Sequence, residues 1–137
     1  MNILKFKDCS YKNKNLVGGK CSSLGELYHL SQQLNFNIAD GFAITTYLYD
    51  MFIEQNNLND FIEKILNSID YSNIRDIEEK SSQLISKLVD SKFNDSQISE
   101  IQSHYEQLCT KYNNTHLEVA IRSSALAEDL PNASFAG

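Results

Sequence analysis

Between Tyr47 and Tyr112 apolar residues recur at helical spacing four times in succession, and this run constrains the fold more than any other feature of the chain. Tyr47–Gln55 sets Leu48, Met51 and Phe52 on one face, and Asn59–Ile69 sets Phe61, Ile62, Ile65, Leu66 and Ile69 there. Asn73–Val89 spaces Ile74, Ile77, Leu84 and Leu88 in the same way. Gln97–Tyr112 repeats the pattern with Ile98, Ile101, Tyr105, Leu108 and Tyr112, and Asp95 is placed to cap it. Such stripes are the signature of core and helix–helix packing. Strand signals lie outside this run. Ile3–Phe6 alternates apolar and polar residues, and Gly41–Thr46 is an apolar run entered through a glycine turn. Val119–Ile121 leads into Arg122 and predicts a buried strand over Val119–Ser123. An amphipathic segment with Leu24, Leu27, Tyr28 and Leu34 follows a glycine pair, and Ser23 with Glu26 matches a capping box at its start. Lys7–Asn15 reads as a loop. The predicted class is α+β: one domain over residues 1–137, a small sheet, and a helical insertion at about 47–115.

Composition narrows the functions. A formal charge of −6 argues against a nucleic-acid surface, although a local cationic pocket remains compatible with it. No apolar run approaches the roughly 20 residues of a membrane span, and the N-terminus lacks the apolar core of a secretory signal, so a cytoplasmic location is expected. Cys9, Cys21 and Cys109 are odd in number and show no CxxC spacing, which fits free, reduced thiols. His29, His104 and His116 sit far apart, without metal-ligand spacing.

Two segments carry chemistry. Gly18-Gly19-Lys20 stands at a helix start, where backbone N–H groups and the positive dipole end attract anions; the remaining P-loop spacing is absent. Arg122 ends the apolar run and precedes a loop of small residues reaching Gly137. Two readings of Arg122 stand side by side: an ion pair with Glu128 or Asp129, or a fork on a phosphate. Glu128 and Asp129 before Leu130-Pro131 read as a turn more readily than as metal ligands. Ser123, Ser124 and Ser134 have no evident activating base.

Together, Leu16–Leu27, Asp40–Thr46 and Val119–Gly137 closely resemble, in order, the N-terminal nucleotide-binding region of phosphoenolpyruvate synthases and pyruvate phosphate dikinases. Rifampicin phosphotransferases share the pattern. The resemblance implies part of an ATP-grasp domain, in an enzyme that passes the β-phosphoryl of ATP to a histidine and then to pyruvate. It implies that Lys20, Arg122 and Gly137 contact the nucleotide, the first two through its phosphates. It also implies ATP with Mg²⁺, whose ligands are expected in the second half of the ATP-grasp domain. That half, the phosphohistidine domain and the acceptor domain are expected partners outside this chain. The chain alone is therefore expected to be inactive and to be a fragment of a longer protein. An antibiotic-phosphorylating parent and a stand-alone nucleotide-sensing module are the alternatives. Cys21 departs from the family pattern, standing where a small residue is usual, as do Asn37–Asp40 and Leu126.

Overall fold

Ile3–Lys5 (β1) and Phe42–Ile44 (β2) pair antiparallel, with Ile3 opposite Ile44, Leu4 opposite Ala43 and Lys5 opposite Phe42, in the computed structural model, which describes residues 1–126. The pleat turns Leu4 and Ala43 inward together, and both join Cys9 and Val17 in a buried cluster. Among the described residues five α-helices complete an α+β arrangement: α1 (Lys14–Leu34), α2 (Thr46–Gln55), α3 (Asn59–Ser68), α4 (Ile74–Asp90) and α5 (Asp95–Lys111). The helices of the middle of the chain thus form where apolar periodicity places them. Asn73 caps α4 by accepting the Arg75 N–H at 3.1 Å.

The chain divides into two units. Among the described residues the first holds Met1–Leu48 and those from Ser96 to Leu126; the second holds Tyr49–Asp95. In the first, α5 is tied to β1 and to the turn before β2 along one helical face. Asn2 Nδ2 donates to Glu100 Oε2 at 2.7 Å, Lys5 Nζ to Gln107 Oε1 at 2.6 Å, and Lys111 Nζ pairs with Asp40 at 2.6 Å. His104, between these contacts, lays its ring against Phe42. In the second unit Phe52, Ile53 and Leu58 form a buried cluster, against which Ile62 and Leu88 pack.

Three sequence expectations change. Lys7–Asn15 is not featureless: it carries two short 3-10 turns, Phe6–Asp8 and Tyr11–Asn13, the second closed by a capping box between Ser10 and Asn13. The Ser23–Glu26 box does not form, because α1 is already under way there; Glu26 instead accepts the Tyr11 N–H at 3.0 Å. The buried face of α1 is not its leucine stripe. Leu27, Leu30 and Leu34 are exposed, while Val17, Ser22, Gly25 and Ser31 are buried. Small residues face inward because the 3-10 segment lies directly on the helix: a Cβ on Gly25 would stand 2.0 Å from the Cys9 carbonyl oxygen.

The predicted strand Val119–Ser123 is also corrected. Among the described residues this segment belongs to no sheet, and Ile121 is 93% exposed. A strand needs a neighbouring ladder, and the sheet described contains β1 and β2 alone. The segment is held at its start by Tyr105, whose hydroxyl donates to the Leu117 carbonyl at 2.9 Å.

Cys9 gives this core a pH dependence. Burial chiefly, then the nearby Cys21 and Asp8, push its thiol up from about 9 to about 12. The unfolded thiol ionises near its ordinary value while the folded one stays protonated, so stability is full below pH 9 and falls as pH rises toward 12. Urea unfolding of the chain at increasing pH is expected to show this loss, with Cys9→Ala flattening it; equal slopes in both proteins would contradict the assignment.

Candidate functional site

The glycine pair creates the site by breaking α1. Gly18 has φ 76° and ψ 174°, outside helical geometry and in a region that L side chains rarely adopt, so the helix restarts after it. Gly18 then occupies the N-cap position, with Gly19, Lys20 and Cys21 as the first turn. A glycine N-cap has no side-chain oxygen to offer the first-turn N–H groups. Ser124 supplies one from the far end of the chain. Its Oγ accepts the Cys21 N–H at 3.1 Å and donates to the Val17 carbonyl at 2.6 Å. One hydroxyl thus bridges the two sides of the helix break.

The fit is close. A Cβ on Gly18 would lie 1.9 Å from the Ser124 carbonyl oxygen and 2.6 Å from its Oγ, so only glycine admits the loop. Ser22, one turn on, is buried and donates from its Oγ to the Gly19 carbonyl at 2.8 Å.

The structure therefore brings together the segment that carries Lys20 and the segment that carries Arg122, with 103 positions between the partners of the Cys21–Ser124 bond. Lys20 is exposed on the first turn of the restarted helix, and Arg122 is exposed two residues before the bridging serine. Gly137, Glu128, Asp129 and Ser134 lie outside the described residues. Of the serines weighed as nucleophiles, Ser124 is instead the clasp. Its signal in the sequence was indirect: a helix start made of glycines requires a cap from elsewhere.

Elsewhere the first unit holds a concavity of about 70 Å³, lined by Lys5, Asp40, Phe42, His104, Gln107 and Lys111 among others. Its lysines are engaged by Gln107 and Asp40. The hydrogen bond from Lys111 to Asp40 raises the lysine above its ordinary pKa, against a smaller opposing effect of burial. Among the described residues, no three His, Cys, Asp or Glu side chains converge as a metal site, and no helix is long and apolar enough to cross a membrane.

A helix start broken at Gly18 thus carries Lys20 on its first turn, with the segment that bears Arg122 clasped against it through Ser124. Residues 14–137 match the family model of the pyruvate phosphate dikinase AMP/ATP-binding domain. The chain belongs to that family. It is 39% identical over 138 residues to a phosphoenolpyruvate synthase of Helicobacter pylori, with all of this chain covered. It is 34% identical over 139 residues to that of Synechocystis and 30% identical over 135 residues to that of Escherichia coli, with 98% of this chain covered in each case. The chain spans 17% of the length of each of these relatives.

Proposed function

We propose that this chain is the N-terminal part of an ATP-grasp domain, residues 1–137 with a helical insertion at about 47–115, in a phosphoenolpyruvate synthase-type phosphotransferase. The observation that carries the reading is the Ser124 clasp, which sets the lysine-bearing and arginine-bearing segments against one helix start. Lys20 and Arg122 hold ATP phosphate oxygens, and the glycine loop ending at Gly137 lies along the nucleotide. The two cations differ in kind: Lys20 offers a compact charge and Arg122 a planar fork suited to two oxygens at once. Spreading positive charge over a polyphosphate offsets its self-repulsion, and such stabilisation is the main protein contribution to phosphoryl transfer.

Family membership supports ATP as the nucleotide. The relatives' name, phosphoenolpyruvate synthase, supports pyruvate as the final acceptor after a phosphohistidine intermediate on another domain. Mg²⁺ would accompany ATP, and the family resemblance assigns its ligands to the second half of the ATP-grasp domain, so no step here runs through it. The coverage of 17% of each relative supports a division of labour in which this segment grips nucleotide and other domains complete the transfer. By itself the chain is then inactive.

Calorimetric titration of ATP into the chain extended through its full nucleotide-binding domain tests the proposal. Arg122→Ala and Lys20→Ala are each expected to weaken binding by about 10- to 100-fold, the loss of a charge-assisted contact worth about 1.5–3 kcal/mol. Unchanged affinity in both variants would remove the phosphate roles.

A further inference from the structure

The fold brings together two thiols that the proposed phosphate chemistry does not use. Cys9 is fully buried, whereas Cys21 is partly exposed and packs against the cluster formed by Leu4, Cys9, Val17 and Ala43. Gly25 lies one turn beyond Cys21 on the same face of α1, and a Cβ there would be 2.8 Å from the Cys9 Cβ. The Cys9 side chain therefore sits over the Cys21–Gly25 turn. Cys9 donates its S–H to the Lys5 carbonyl at 3.3 Å, and Cys21 lies near enough to act electrostatically on that thiol. Cys21 is also the third residue of the restarted helix and holds Ser124 through its own N–H.

We infer that Cys9 and Cys21 form a redox modification site, closing to an intramolecular disulfide when the chain meets a low-molecular-weight disulfide such as oxidised glutathione. The accessible Cys21 thiolate attacks one sulfur of the oxidant, forming a mixed disulfide and releasing one thiol. Cys9 then attacks the Cys21 sulfur, expels the second thiol, and its proton leaves with that thiol. The net reaction converts one small disulfide and two protein thiols into one protein disulfide and two small thiols. The order is set by access: Cys21 is partly exposed and meets the oxidant first, whereas the buried Cys9 resolves, passing its proton to the leaving thiolate. Cys109, buried on α5, is the internal control.

The crosslink would fix the first turn behind Gly18 to the 3-10 segment. Any consequence for ATP rests on the function proposed above, so the decisive reading is the crosslink itself. The native chain is incubated with oxidised glutathione, remaining thiols are alkylated in denaturant, and peptides are weighed after digestion. The expected result is a Cys9–Cys21 crosslink with Cys109 still alkylated. Cys21→Ser should lose the crosslink, and Cys9→Ser should stop at glutathionylated Cys21. Persistent glutathionylated Cys21 in the unsubstituted chain, a link to Cys109, or three unmodified thiols would each overturn the inference. A crosslink that forms in a chain whose extended version fails to bind ATP would sink the nucleotide reading and leave the thiol pair standing.

Discussion

Gly18→Ala is expected to destabilise the chain by about 3–5 kcal/mol and to release the loop around Ser124. Two costs combine. A non-glycine residue at φ 76° and ψ 174° carries strain of about 1–3 kcal/mol. The added methyl would also stand 1.9 Å from the Ser124 carbonyl oxygen, a backbone atom that cannot rotate away. The loop must leave, and the two hydrogen bonds of its hydroxyl, at about 0.5–1.5 kcal/mol each, go with it. Against a total stability of about 5–15 kcal/mol, this is a large fraction. Chemical denaturation would measure the shift, and amide exchange at Cys21 would report the lost bond. Helix propensity alone predicts the opposite sign, since alanine is favoured over glycine in a helix by about 1 kcal/mol. A stabilised Gly18→Ala protein would therefore show that the helix break is not needed.

The second large effect lies in the other unit. Leu58→Ala is expected to cost about 2–5 kcal/mol, because Leu58 is 0% exposed and sits among Phe52, Ile53, Ile62 and Leu88. Its N–H also closes the turn before α3 on the Ile53 carbonyl at 3.0 Å, so the side chain is held in place by the backbone around it. Ile85→Ala supplies the contrast. Ile85 is 61% exposed on α4, and its truncation should stay within about 0.5 kcal/mol of the unsubstituted chain. Urea unfolding of the two variants decides between them, and equal losses would mean that α4 buries Ile85 after all.

What could be read from residues alone follows the physics of each signal. The helices from Thr46 to Lys111 were legible because apolar residues repeating every 3.6 positions form a single stripe only when the backbone is helical. The strands Ile3–Lys5 and Phe42–Ile44 were legible from alternation and a glycine turn. The burial of α1 was not. Reading an amphipathic helix assumes that large apolar side chains point inward, whereas here the close approach of the Cys9 backbone to Gly25 selects a face of small residues. On α4 the same assumption fails for Ile74, which is exposed, although Leu88 does pack inward.

Val119–Ser123 failed as a strand for a different reason. Local composition gives the tendency of a segment, but a strand exists only with a partner, and partners are not encoded locally. The candidate site was half legible. Gly18-Gly19-Lys20 and Arg122 stood out as anion-binding residue types beside flexible backbone. The element that joins them, a serine capping a helix in another part of the chain, has no fixed spacing that a sequence could display.

The central claim is that the Ser124 clasp makes one phosphate-binding unit of two distant segments, and one measurement tests it most directly. ATP is titrated into the isotope-labelled chain, extended through its nucleotide-binding domain, while backbone amide signals are followed by nuclear magnetic resonance. The account predicts that the amides of Gly19, Lys20 and Ser124 shift together along a single binding curve. It also predicts that Ser124→Ala, still folded, weakens that curve by about 10-fold, the equivalent of one lost hydrogen bond of about 1.4 kcal/mol. ATP binding that leaves these three amides unmoved, or a Ser124→Ala protein that binds with undiminished affinity, would contradict it.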